Sequence, residues 1–247
     1  MTFKDGKLQF KTEEVLFIDT ERKMLPFKQA SSCKVKTVNT WKQFEAVMRA
    51  GCGLVDLSNN QEKQNYYGPI KVVVVDSFTR ILYLLSELLR EANVSGYSFW
   101  ADYADTIERL LMQWQSHGRF IIFTALDEIV RDTDNIDRIV VKVDGKKLEG
   151  KIESYFTICL HTKFNSLKDY PKCYQFCTNT DGKNTAKSPE GMFAEKYIQN
   201  DMSLVLGSIY KYYDMENNPD FTPSPIIICG KSGTGKSSSF KYLLEEN

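Results

Sequence analysis

One stretch limits what this chain can fold into more than any other. The apolar run Ile226-Ile227-Ile228-Cys229 passes directly into Gly230-Lys231-Ser232-Gly233-Thr234-Gly235-Lys236-Ser237, with Ser238 and a helix-compatible segment behind it. A strand, a Gly-x-x-x-x-Gly-Lys-Ser loop and a helix make a phosphate cradle. The glycines let successive backbone N–H groups turn toward one anion with no Cβ in the way. The N-terminus of the following helix adds partial positive charge. Lys236 is placed to reach the β- and γ-phosphates, and the Ser237 hydroxyl to ligate Mg²⁺. Residues 230–238 are therefore the expected site for a nucleoside triphosphate. A glycine loop that merely joins strand to helix is the competing reading, and it gives no reason for Lys and Ser after the last glycine.

The rest of the chain alternates apolar runs with amphipathic stretches, the pattern of an α/β fold with a mostly parallel sheet. Strands are predicted at residues 15–18, 72–75, 120–123, 155–160, 174–178 and 226–229. Helices are predicted at 40–50, after Ser77, at 103–115, at 193–213 and at 236–246. Residues 127–137 are expected to form an exposed acidic loop, and Met215 to Pro225 a linker. The chain has 247 residues, 42% of them hydrophobic, which suits a single domain over 1–247. Its formal net charge is zero, so bulk charge gives no argument for nucleic acid. The six cysteines contain no Cys-x-x-Cys pair and are expected as free thiols in a reducing cytoplasm. Two histidines far apart in sequence argue against a histidine-rich metal site. No apolar run approaches the ~18 residues that span a bilayer, and the polar N-terminus does not begin a signal peptide.

A phosphate loop needs an Asp at the end of a neighbouring apolar strand as its second magnesium partner. Asp76, after Val72-Val73-Val74-Val75, has that position; a plain helix N-cap is the alternative. Ser77 beside it is placed to help order a water. Glu21, two residues past Asp19, is a candidate to polarise water for in-line attack, against the alternative of a solvated loop charge. The order is unusual, because the phosphate loop ordinarily opens such a domain and here comes last. Either a second domain is cut short, or the domain is circularly permuted. Permutation accounts for all strands with one site: residues 215–247 become the usual N-terminal phosphate-loop unit and 1–214 the remainder. The polar stretch Met215-Glu216-Asn217-Asn218-Pro219 resembles an original N-terminus.

Read from Met215 to Asn247 and on from Thr2, the chain resembles the phage-encoded RecA-like ATPases of single-strand annealing recombination. The resemblance lies in residues 226–238, in 15–27 with its Thr-Glu-Arg-Lys-x-Leu-Pro-Phe run, in 72–77, and in the Asp-Gly-Lys-x-x-Ala-Lys-Ser-Pro run of 181–189. It implies a RecA-like fold, ATP with Mg²⁺, hydrolysis, and assembly into rings or filaments on single-stranded DNA. It implies Glu21 as catalytic base, Thr124 at a strand tip as a γ-phosphate sensor, and Lys183 and Lys187 as cations presented to a neighbour's ATP by a mobile tongue. An ordinary surface loop is the alternative for those two lysines. The acidic 127–137 loop is poorly suited to a phosphate backbone. Lys142, Lys146, Lys147, Lys151, Lys163, Lys168 and Lys172 are the better DNA candidates, or else a solvated face. A small-molecule kinase and a nucleotide-gated assembly protein with slow turnover are the competing functions.

Overall fold

A run of β-branched residues with no polar interruption fits a parallel strand buried on both faces. Val72-Val73-Val74-Val75 forms such a strand in the computed structural model, which describes residues 1–92, 95–114, 118–131 and 135–245. In chain order, a small hairpin β1 (Thr2–Lys4) and β2 (Lys7–Gln9) precedes β3 (Val15–Asp19), β4 (Lys34–Thr37), α1 (Trp41–Gly51) and α2 (Gln61–Tyr67). There follow β5 (Val72–Asp76), α3 (Phe78–Glu91), α4 (Gly96–Gln113), β6 (Phe120–Ala125), β7 (Asp127–Arg131) and β8 (Asp137–Val141). The chain continues through β9 (Ile158–Phe164), β10 (Tyr174–Cys177), β11 (Tyr197–Gln199), α5 (Met202–Tyr212) and β12 (Ile226–Cys229).

Eight strands form one sheet in the order β11-β10-β9-β12-β6-β5-β3-β4. The six from β9 to β4 run parallel, and β10 and β11 add an antiparallel edge. The period-two alternation sends Val73 and Val75 into one core with Phe44, Ile81, Leu85 and Ile107 of α1, α3 and α4. Val72 and Val74 enter the opposite core with Leu206 and Ile209 of α5, Phe10 and Phe240. The sheet is thus covered on both faces.

Several boundaries differ from the sequence expectation. Residues 127–137 are not an open loop: β7 and β8 pair as a hairpin, with 132–134 outside the described residues. The acidic count masks the alternation of Ile129, Ile139 and Val141, which suits a ribbon. Helix α4 begins at Gly96, earlier than expected, and buries Phe99 as well as Ile107 and Leu111. The expected helix over 193–213 is instead strand β11 followed by α5. Asp201 stops the strand and caps the helix, accepting from Ser203 N (2.9 Å) and Leu204 N (3.3 Å). Behind the phosphate loop, Ser237–Leu243 is a 3₁₀ helix, and Leu244 then bridges Phe10. The 215–225 stretch is docked by the stacked rings of Tyr213 and Phe221, 4.3 Å between centroids. Among the described residues, no helix is long and apolar enough to cross a membrane.

Candidate functional site

Parallel strands bring their C-terminal ends to one edge of the sheet, where open α/β sheets bind ligands. Here the register puts Asp19, Asp76 and Thr124 side by side on β3, β5 and β6. The loop after β12 opens at the same edge, because Cys229 pairs with Ala125, the residue after Thr124. One strand, β6, separates the loop's strand from that of Asp76.

The loop is held from below. Thr162 donates to the Cys229 carbonyl (3.3 Å), and its hydroxyl lies 2.5 Å from that of Thr234. A Cβ on Gly230 would sit 1.8 Å from Thr162 Oγ1, so only glycine fits there. Gly235 has φ +88°, which favours glycine, and its carbonyl accepts from Asn200 Nδ2 (2.8 Å). The Lys236 ammonium arches over the loop and donates to the carbonyls of Gly230 (2.7 Å) and Lys231 (2.8 Å). Burial lowers its pKa, against the opposing pull of Asp127 and Asp76.

Asp76 stands at the centre. Ser237 Oγ donates to its Oδ2 at 2.6 Å, across 161 residues of sequence, and Thr124 Oγ1 donates to its Oδ1 at 2.5 Å. The N-cap of α3 is Ser77 rather than Asp76, so this carboxylate is aimed at the loop and does not cap the helix. Ser77, joined to Asp76 by a cis peptide, donates its hydroxyl to Glu21 Oε1 (2.8 Å) and its N–H to Thr20 Oγ1 (2.9 Å). Lys23 also bonds Glu21. Burial raises the Glu21 pKa, but the bonds from Lys23 and Ser77 outweigh it, and the net shift is downward.

Glu21, Asp76, Lys236 and Ser237 line one end of a cleft of about 540 Å³. Ser232, Gly233, Gly235 and Ser238 of the loop also line it, as do Tyr170, Tyr174 and Tyr242. Asn200, Thr162 and Tyr174 were not legible in the sequence, because each reaches the loop from a distant segment with no local motif. Thr124 is fully buried and does not line the cleft; its hydroxyl is committed to Asp76, so it orients that carboxylate. Lys183 and Lys187 do not line the cleft either. Their segment is not a free tongue: Lys187 exchanges two backbone bonds with Cys159 (2.9 Å each), Ile139 N donates to the Lys183 carbonyl, and Ala186 is buried. Backbone pairing, which leaves no side-chain pattern, anchors it. Of the other lysines, Lys147 pairs with Asp105 (2.5 Å) and Lys163 lies 4.2 Å from the centre of the Tyr197 ring.

The arrangement puts a cation, a hydroxyl and two carboxylates around one cleft. Mg²⁺ prefers a few hard oxygen donors, and Ser237 Oγ with Asp76 Oδ2 supplies two of them within one hydrogen bond of each other. Comparison with known proteins returns no matching family model, no matching curated protein and no matching solved structure.

Proposed function

We propose that the chain binds ATP with Mg²⁺ in this cleft and hydrolyses it, on a RecA-like core whose order is circularly permuted. The observation that carries the reading is the 2.6 Å contact between Ser237 and Asp76, which joins the two halves of a magnesium site from opposite ends of the sequence. In this reading residues 230–238 cradle the phosphates and Lys236 leaves its loop carbonyls for the β/γ oxygens. Ser237 and Asp76 would hold the metal, which would supply positive charge beside the phosphates. Glu21 takes a proton from the attacking water as the new oxygen–phosphorus bond forms and the γ-phosphoryl leaves ADP. The Ser77 hydroxyl fixes the orientation of Glu21.

The permuted order is supported by the proximity of the segment behind the loop to the first strands. Phe10 N donates to Leu243 O (2.8 Å) and Glu245 N to Phe10 O (3.0 Å), so a short link would join residue 245 toward β3. The resemblance extends the proposal to rings or filaments on single-stranded DNA, with Lys183 and Lys187 acting on a neighbouring copy's nucleotide.

Phosphate release with and without single-stranded DNA tests this. Magnesium-dependent release that DNA stimulates, and that Lys236→Ala abolishes while the fold survives, is the expected result. Unchanged hydrolysis in Lys236→Ala ends the reading. Turnover only with a small-molecule acceptor would favour a kinase. Slow turnover indifferent to DNA would favour a nucleotide-gated assembly protein.

A further inference from the structure

Directly beneath the phosphate loop lies a second cluster of chemically capable side chains. Cys159, His161 and Cys229 bring two Sγ atoms and a ring nitrogen within 4.8 Å of one another. Cys229 Sγ is 3.0 Å from His161 Nε2. The sheet dictates this meeting. Cys159 and His161 are two apart on β9 and share a face, and His161 is the register partner of Cys229 on β12. The cysteines are fully buried, and His161 is 4% exposed.

A disulfide does not explain the pair. Cys159 is in register with Ile227, two residues from Cys229. That offset, with strand spacing and rise, separates the Cα atoms by roughly 8 Å, beyond the roughly 7 Å that a disulfide spans. Simple apolar packing does not explain the carboxylate beside the cluster. Glu153, in the 3₁₀ helix Ile152–Tyr155 that feeds β9, is 4% exposed. Its Oε1 accepts from Val141 N and from Thr185 Oγ1, both at 2.8 Å, and Thr185 Oγ1 lies 3.0 Å from His161 Nε2. Its Oε2 is buried with no hydrogen-bond partner. Among the described residues no lysine or arginine pairs with Glu153. The carboxylate is near enough for its charge to act on both thiols. A buried carboxylate without a cation is costly. Two thiols and an imidazole around one point, with a buried carboxylate one hydroxyl away, are a setting for a thiophilic divalent ion.

We propose that Cys159, His161 and Cys229 bind one zinc ion that ties β9 to β12 under the 230–237 loop, with the Glu153 carboxylate, one hydroxyl away through Thr185, facing its charge. Zinc–sulfur bonds of about 2.3 Å and zinc–nitrogen bonds of about 2.0–2.1 Å set tetrahedral donors about 3.5–3.8 Å apart. The 3.0 Å sulfur–nitrogen contact opens slightly to admit the ion, and the widest separation closes. Both thiols lose their protons to solvent on binding, and no electron changes hands. Thr185, one bond from Glu153, orients that carboxylate without touching the metal. Enclosure on all sides means the ion enters as the chain folds.

The test uses full-length protein expressed in medium supplemented with zinc, or with cobalt as a spectroscopic substitute. Elemental analysis after gel filtration is expected to give about one ion per chain. The cobalt form is expected to show thiolate-to-metal charge transfer and the visible bands of a tetrahedral site. Cys159→Ser and Cys229→Ser, folded by circular dichroism, are expected to lose the metal, while Cys33→Ser keeps it. Thr185→Val, with all three donors intact, is expected to hold metal about 10–100-fold more weakly. Metal-free wild-type protein from zinc-rich medium overturns the proposal. So does a cobalt spectrum without thiolate charge transfer, which needs no variant to fold. Full occupancy in folded Cys229→Ser overturns it as well. None of these measurements involves nucleotide, so Lys236→Ala keeps its metal whether or not the ATP reading survives.

Discussion

Asp76 receives two hydroxyl donors, one from Ser237 and one from Thr124, and each oxygen has a separate partner. An amide can accept at only one of these positions and must turn its N–H₂ toward the other. Asp76→Asn is therefore expected to weaken magnesium-dependent nucleotide binding by roughly 10–100-fold, the worth of a hydrogen bond to a charged group at about 1.5–3 kcal/mol. Titration calorimetry with and without Mg²⁺ measures it, and unchanged affinity would reduce Asp76 to a structural role. Glu21→Gln is expected to bind ATP normally and to hydrolyse it about 100-fold more slowly or worse. A wild-type single-turnover rate in that variant would return Glu21 to the solvent. These residues were legible because each ends an apolar run or sits in a spaced motif. Thr124 was legible as a strand tip, yet its direction was not: residue 124 of a strand flanked by β5 and β12 turns toward Asp76, and only the register says so.

The helix expected over 40–50 lies at Trp41–Gly51 and the strand expected over 226–229 at Ile226–Cys229, while α4 begins well before its expected start and the 193–213 stretch divides in two. Ile198 fits the helical register of Val205 and Ile209, and it also fits opposite Phe176 in an antiparallel edge, where the structure has it. The deciding signal was Asp201, fully buried, whose Oδ1 takes Ser203 N, Ser203 Oγ and Leu204 N. The Lys7 ammonium is 3.0 Å from its other oxygen, close enough for attraction though not aligned as a hydrogen bond. Asp201→Ala is expected to cost about 1–2 kcal/mol, the upper range for losing an N-cap. Urea denaturation measures it, and a midpoint equal to wild type would mean that α5 is held by packing alone. Close approach makes α5 sensitive elsewhere too, since a Cβ on Gly207 would lie 2.0 Å from the Gly6 carbonyl oxygen.

At the scale of the molecule, charge clamps the sheet at its N-terminal edge as well. Glu14, just before β3, holds Lys71, just before β5, at 2.5 Å. Burial alone would raise the Glu14 pKa, but bonds from Lys71, the terminal amine and Lys11 N–H outweigh it and bring it from 4.5 down to about 2. The folded state therefore releases this proton more readily than the unfolded chain. The stabilisation is complete above about pH 4.5 and is lost as pH falls through that value toward about 2. Melting temperatures over this window are expected to fall less steeply in Glu14→Gln than in wild type; parallel curves would remove Glu14 from the account.

The position of β12 has a consequence for how the molecule comes into being. Last of the strands in sequence, it lies in the interior of the sheet, bonded to β6 on one side and β9 on the other. Until residues 226–229 arrive, the nascent protein holds two half-sheets, each with a bare apolar rim, and such rims invite pairing with other chains. Closure joins strands far apart in sequence, a pairing that pays its loop entropy before any contact rewards it. The gap between the half-sheets closes in the same event that seats the 230–237 loop, so on the proposed reading competence to fold and competence to bind phosphate are acquired together. In pulsed hydrogen exchange during refolding, the amides of Ile226–Cys229 and those of β6 and β9 that face them are expected to gain protection in one late phase, after β3 and β5 have already paired. Early protection of β12 with either neighbour alone would show instead that the interior strand is the seed on which the sheet is built.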